Sequence, residues 1–314
     1  AIVTNSRSLI SGASVGSDVS GTAGVADGSG RNVRDDEGGI KFFFSGNKHI
    51  GKALKVSLIS GKNGPGITLD GFVPNGSGLH GNIIGLDASG LVALANRGPG
   101  ILLLNTNHQT IGDTAEGAAN YISGNMSDGI ELRHSTVFTN RIRANYIGLD
   151  QDGLKPVPNG GAGIFINGSK GNQIGGLERK YGNFISGNSI GIRIDSGATG
   201  DTVISNFIGS DAAGLGTFGN KNDGILVANS SGNMIGSIDT QMRNTIRYNK
   251  TGITVRNSTG ITIWGNSLYS DRLGGITLVN ANSMQPAPKL DSANESGGNT
   301  TVYGKLRSKP NDKY

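Results

Sequence analysis

Asn145-Tyr-Ile-Gly-Leu-Asp150 decides how the rest of the chain is read, because it occurs three times. It appears earlier as Asn82-Ile-Ile-Gly-Leu-Asp87 and later as Asn206-Phe-Ile-Gly-Ser-Asp211, at spacings of 63 and 61 residues. Each copy leads into a Gly-Leu pair, at Gly90, Gly153 and Gly214. Three further series hold the same register. They are Ile111-Gly112, Ile174-Gly175 and Ile235-Gly236; Ile122-Ser-Gly-Asn125 and Ile185-Ser-Gly-Asn188, with Ile246-Arg-Tyr-Asn249 as a worn copy; and Asn96, Asn159 and Asn220. Self-similarity at a fixed period is the signature of a repeat architecture.

A shorter unit, Gly-Ile-x-(aliphatic), recurs inside the repeat, beginning at Gly39, Gly66, Gly100, Gly129, Gly163, Gly191, Gly224, Gly252 and Gly275. Its spacing alternates near 34 and 28 residues, so each repeat holds two coils. A second short strand runs through Ile111, Ile142, Ile174, Ile204, Ile235 and Ile263, and a third through Ile122, Ile147, Ile185, Ile208, Ile246 and Leu268. One coil of three short strands cannot bury its apolar side alone, whereas a stack buries a continuous column. Strand alternation places Ile130 and Leu132 inside and Glu131 and Arg133 outside. Extra length is confined to corners. It falls after the third strand in even coils (150–159) and between the second and third strands in odd coils (176–182).

The expected organisation is a solenoid of about nine coils over residues 39–280, a rod ~40 Å long at one strand spacing per coil. Residues 1–38 are expected to cap or lead into it, since an open solenoid end exposes unpaired strand edges. Residues 281–314 form a C-terminal extension. Its stretch Asn299-Thr-Thr-Val-Tyr-Gly-Lys-Leu-Arg-Ser-Lys-Pro-Asn311 looks like the start of the segment that follows the repeats in large bacterial surface or secreted proteins, a resemblance that implies a piece of a longer protein.

Composition fits this reading. Among 314 residues there are 54 glycines and 32 asparagines, with aromatics at 5% and charged residues at 16%. That mixture marks frequent turns with single apolar residues between them. The absence of cysteine excludes thiol nucleophiles and Cys-ligated metal sites. No apolar run approaches the ~20 residues of a membrane-spanning helix. Net charge is +5, but the basic residues are scattered, with mild clusters at Lys48, Lys52, Lys55 and Lys62 and at Arg133, Arg141 and Arg143. No nucleic-acid-binding signature accompanies them, so a solvated basic surface is the expectation.

Residues 39–280 resemble the right-handed parallel β-helix repeat family, whose best-known members are pectate lyases and related polysaccharide-active proteins. The resemblance rests on the Gly-Ile-x-(Ile/Leu) strands and the Asn-x-Ile-Gly and Asn-x-Ile-Ser-Gly-Asn corners. The tandem Asn-x-Ile-Gly-x-Asp-x-x-Gly pattern looks more narrowly like large bacterial surface or secreted proteins. The resemblance implies an all-β fold, a single-stranded right-handed parallel β-helix; it is weak for activity, because one fold hosts many functions.

In the polysaccharide-active relatives the outward face of the Gly-Ile strands is the substrate groove. Here two outward columns run along that face. The first reads Lys41, Thr68, Leu102, Glu131, Phe165, Arg193, Leu226, Thr254 and Thr277, and the second Phe43, Asp70, Leu104, Arg133, Asn167, Asp195, Ala228, Arg256 and Val279. Charge and an aromatic coincide only in the middle, so the candidate ligand-binding residues are Glu131, Arg133, His134, Phe165, Asn167, Arg193 and Asp195. Arginine pairs bidentately with carboxylates and an aromatic can stack on a sugar ring. Were the chain an enzyme, Glu131, Arg133, Arg193 and Asp195 would carry the chemistry, which requires a tuned acid or base. The alternative is a salt-bridged outer face in which opposite charges on neighbouring strands solvate the sheet.

Other polar features have structural readings. Asn82, Asn120, Asn145, Asn183, Asn206, Asn244 and Asn266 fall at one corner of successive coils and are expected to form a buried amide ladder rather than a ligand track. Asp87, Asp150 and Asp211, each followed by Gly three residues on, are turn residues before they are calcium ligands. Asp35-Asp36-Glu37 is the one acidic run, and a solvated loop fits it better than a calcium site. His49, His80, His108 and His134 share no ligand spacing, so no metal or other cofactor is expected. The sequence is thus read as a non-catalytic secreted or cell-surface β-helix, an adhesive or structural stalk whose partner is a glycan or another extracellular polymer. A polysaccharide lyase or hydrolase and a phage or secretion-system spike are the alternatives.

Overall fold

The computed structural model describes residues 57–71, 78–134 and 136–281 in full, together with strands at Ile2–Thr4, Ser8–Ile10, Ser14–Val15, Ile40–Phe43, Lys48–Ile50, Lys289–Ser296 and Asn299–Lys305. Asp35-Asp36-Glu37, Lys52 and Lys55 lie outside the described residues.

The chain winds through three parallel sheets, each coil giving one short strand to each. The first sheet, built from the Gly-Ile strands, has ten strands, and the second and third have nine each. The strand beyond the nine expected in the first sheet is Ile2–Thr4, which pairs in parallel with Ile40–Phe43. Ser8–Ile10 and Ser14–Val15 likewise join the second and third sheets. Lys289–Ser296 and Asn299–Lys305 form a separate antiparallel pair. Among the described residues no helix is long and apolar enough to cross a membrane.

The core is the aliphatic column that the repeat requires. Ile130, Leu132, Ile164, Ile166, Ile192 and Ile194 from the first sheet are fully buried, and they meet Ile142, Ile174, Ile147 and Ile185 from the other two. In-register pairing places like on like, as in Ile130↔Ile164 and Ile164↔Ile192. β-branched side chains suit this pleated stack. The recurring glycines have two separate reasons. Gly163, which opens a Gly-Ile strand, leaves room for the next coil, because a Cβ there would sit 2.8 Å from the Gly191 carbonyl oxygen. Gly148, in Asn-x-Ile-Gly, has φ +85°, and a side chain there would also run into the Ser186 carbonyl.

One register expectation is corrected. In the second sheet Val203, not Ile204, aligns with Ile174 and Ile235. Asp201 stands where Asn172 and Asn233 open the neighbouring strands, so the strand starts one residue earlier than isoleucine spacing suggests.

The asparagine ladder is present and buried. Each Nδ2 donates to the next Oδ1, from Asn82 through Asn120, Asn145, Asn183, Asn206 and Asn244 to Asn266, at 2.8–3.1 Å. The second amide proton goes to a core-strand carbonyl, as from Asn183 to Ile142 at 2.8 Å. The other two corners carry ladders as well. One runs Asn96, Asn125, Asn159, Asn188, Asn220, Asn249 and Asp271, the other Asn140, Asn172, Asp201 and Asn233. Among the described residues these ladders also bond the bent backbone, as where the Asn145 N–H donates to Asn183 Oδ1 at 3.1 Å and the Asn125 N–H to Asn159 Oδ1 at 3.1 Å.

Candidate functional site

The middle of the first sheet brings the expected residues together. Glu131, Phe165 and Arg193 are successive partners in one column, and Arg133, Asn167 and Asp195 in the next. They sort into two groups. Glu131 accepts from Arg133 Nε at 2.9 Å and Nη2 at 2.6 Å, and from Asn167 Nδ2 at 3.0 Å. Asp195 accepts from Arg193 Nε at 3.2 Å and Nη2 at 2.6 Å, from Asn229 Nδ2 at 3.0 Å and from the Ser196 N–H at 2.6 Å. Arg193 also lies over the Phe165 ring, 4.5 Å from its centroid, and so links the columns. His134 sits at the exposed corner with φ 77°, its N–H donating to the Asn167 carbonyl at 2.8 Å.

Two expectations change here. The ion pairs run along a strand, from residue i to i+2, instead of across neighbouring strands; the cross-strand bonds come from Asn167 and Asn229. The outward column is also not an exposed one. Thr68, Leu102, Glu131 and Thr254 are all buried, Glu131 beneath its partners Arg133 and Asn167. Arg133 and Arg193 reach further out, with side-chain exposures of 37% and 40%.

Electrostatics follow from these contacts. Burial works against ionised Asp195, but the bonds from Arg193, Asn229 and Ser196 outweigh it and hold the carboxyl below its usual range. Arg133 is held protonated by its bond to Glu131. Sequence reasoning missed Asp128, which precedes the Gly129-Ile130 strand and accepts from the Ala162 N–H at 2.6 Å. Burial raises its carboxyl above the usual range, with nearby Glu131 adding to the rise. The signal for it was the Asp-Gly-Ile opening shared with Asp223-Gly224-Ile225.

Both guanidinium groups use Nε and Nη2 on their carboxylates. The outer edge of each planar group is left for an incoming oxygen, and its orientation is fixed by the pair. The corner aspartates instead bind their own loops. Asp150 accepts from Leu154 N at 2.8 Å and Lys155 N at 3.1 Å, and Asp211 from Leu215 N at 2.7 Å. Among the described residues no group of three or more His, Cys, Asp or Glu side chains could hold a metal ion.

A second feature was missed. The x of Asn-x-Ile is aromatic in four successive coils, and Tyr121, Tyr146, Phe184 and Phe207 stack on the outer face of the third sheet with centroids 5.1, 5.2 and 4.7 Å apart. The Arg179 guanidinium closes the stack over Phe207 at 4.3 Å.

No protein-family model matches the chain, and no curated protein matches it. Among solved structures, a mutant of the periplasmic alginate epimerase AlgG aligns with TM-score 0.52 and 18% identity over 88% of this chain. The chain spans only 58% of that protein's length. AlgG itself aligns with TM-score 0.53 and 16% identity, over 90% of this chain and 70% of AlgG. The Dettilon tailspike protein aligns at TM-score 0.38 and 16% identity, over 97% and 68% of the two chains, too distantly to support an argument. At these identities the likeness is one of fold alone: the chain is a right-handed parallel β-helix.

Proposed function

We propose that this chain is a non-catalytic β-helix of a secreted or surface-displayed protein, a stalk that binds an extended glycan on its first sheet. The observation that carries the reading is the pair of outward guanidinium edges, each locked on a carboxylate and one of them lying on an aromatic ring. Such an array is preorganised, so little side-chain entropy is lost on binding an oxygen-rich polymer. The sharing of the fold with an alginate epimerase supports a polysaccharide as the ligand class. The direct test is a screen against acidic and neutral polysaccharides, scored for binding and for new reducing or unsaturated ends. Binding without new ends is expected; absence of any binding would overturn the reading.

One observation favours a polysaccharide-active enzyme instead. Asp128 is a partly buried carboxyl held above the usual range within the electrostatic reach of Arg133 and Arg193, as a general acid needs. New ends formed by the unmodified protein and lost in Asp128→Asn would establish that reading.

A further inference from the structure

The face described above leaves the third sheet unused, and we propose that the cleft on that sheet is a second binding site, for one neutral sugar residue. The cleft is an open groove of about 550 Å³. Its floor is Tyr121, Tyr146 and Phe184, stacked at interplanar angles of 19° and 17°. Because the rings stack on each other, their faces are occupied and their edges line the floor. A flat base, a cation or a stacked sugar therefore finds no free ring face, and the edges offer only apolar van der Waals contact.

The walls come from the corner insertions of odd coils, 112–119 and 175–182, standing on either side of the tight turn at Ala144. Gly117, Ala119 and Gly182 keep the space between them open. The charged groups at the rim are already paired, Arg143 with Asp113 at 2.9 Å and Lys180 with Glu178 at 2.9 Å. Of the residues lining the cleft, the charged ones, Asp113 and Lys180, are thus each held by a partner of opposite sign.

Two hydroxyls remain. Neither the Tyr121 nor the Tyr146 hydroxyl is hydrogen-bonded to the protein among the described residues, and burial raises both above the usual phenol range. They stay neutral and able both to donate and to accept. Standing one coil apart, ~4.8 Å, they are spaced to meet two hydroxyls of a single pyranose ring.

The test is calorimetric titration of the full chain with neutral hexasaccharides of the malto, cello, xylo and N-acetylchito series. At least one should bind. Tyr146→Phe removes only the hydroxyl, in a column that already accepts Phe184 and Phe207, and should weaken that binding about tenfold, the loss of one hydrogen bond. Ala115→Trp, at the exposed rim, should fill the cleft and abolish binding with an unchanged circular dichroism spectrum. The Glu131→Gln, Arg133→Ala, Arg193→Ala, Asp195→Asn chain should bind the same hexasaccharide normally, which separates this site from the first-sheet face. The proposal is overturned if no hexasaccharide binds, if both cleft variants keep full affinity, or if the first-sheet variant loses it.

Discussion

Asp201 interrupts an otherwise amide-built ladder, and replacing it with Asn should change how stability depends on pH. The Asn172 N–H and Nδ2 both donate to its Oδ1, at 2.8 and 2.9 Å. Its Oδ2 is buried without a hydrogen-bond partner, at the place where an asparagine would carry its NH2 group. Burial pushes the carboxyl up to about 7, against the bonds from Asn172. With the folded value raised above the unfolded 3.8, the folded chain holds the proton more tightly. Stability is therefore fully present below about pH 3.8 and falls as pH rises to about 7. Each tenfold change in proton affinity is ~1.4 kcal/mol, so the full fall is on the order of 4 kcal/mol and less after relaxation. Asp201→Asn supplies the missing donor at every pH. Urea unfolding of both chains at pH 4, 6 and 8 isolates the effect, since other titrating groups cancel in the difference. The two should be nearly equal at pH 4, with the variant more stable by a few kcal/mol at pH 8. A difference independent of pH, or a variant less stable at pH 8, would contradict a buried Asp201 carboxyl that holds its proton in the folded chain.

Further outcomes follow from the same structure. Asn183→Ala should cost roughly 1–3 kcal/mol in urea unfolding, because neighbouring buried polar groups lose a partner, and should leave glycan binding intact. Ile166→Ala, deep in the column, should cost about 2–5 kcal/mol in the same assay. Arg133→Ala alone should destabilise the chain, since it strands the buried Glu131 carboxylate; adding Glu131→Gln should recover most of the loss, as read by the unfolding midpoint.

The architecture was legible because each coil must repeat the same solution. Ile130 and Leu132 had to face inward once Gly-Ile-x-Leu was seen to recur, and Asn82 to Asn266 had to meet once their corner was identified. What escaped the sequence depended on neighbours in space. Glu131 reads as an exposed outward residue, yet Arg133 and Asn167 bury it, and no pattern along one strand shows that cover. Asp128 and Asp201 look like ordinary turn residues until the adjacent coil removes water from them. Val203 took the place expected of Ile204 because Asp201 was not recognised as a ladder member. The aromatic stack was spelled out in Tyr121, Tyr146, Phe184 and Phe207, but only as the variable position of a motif read for its Asn and Ile.

We propose that a glycan is held by the outward guanidinium edges without being cut. The most direct measurement is the affinity of the polysaccharide found by the screen for the parent chain and for the Glu131→Gln, Arg133→Ala, Arg193→Ala, Asp195→Asn chain. That variant removes both arginines without stranding a buried carboxylate. For an acidic polysaccharide, binding should fall at least tenfold in the variant, with no new chain ends from either protein. Unchanged affinity in a folded variant, or chain ends produced by the parent, would contradict it.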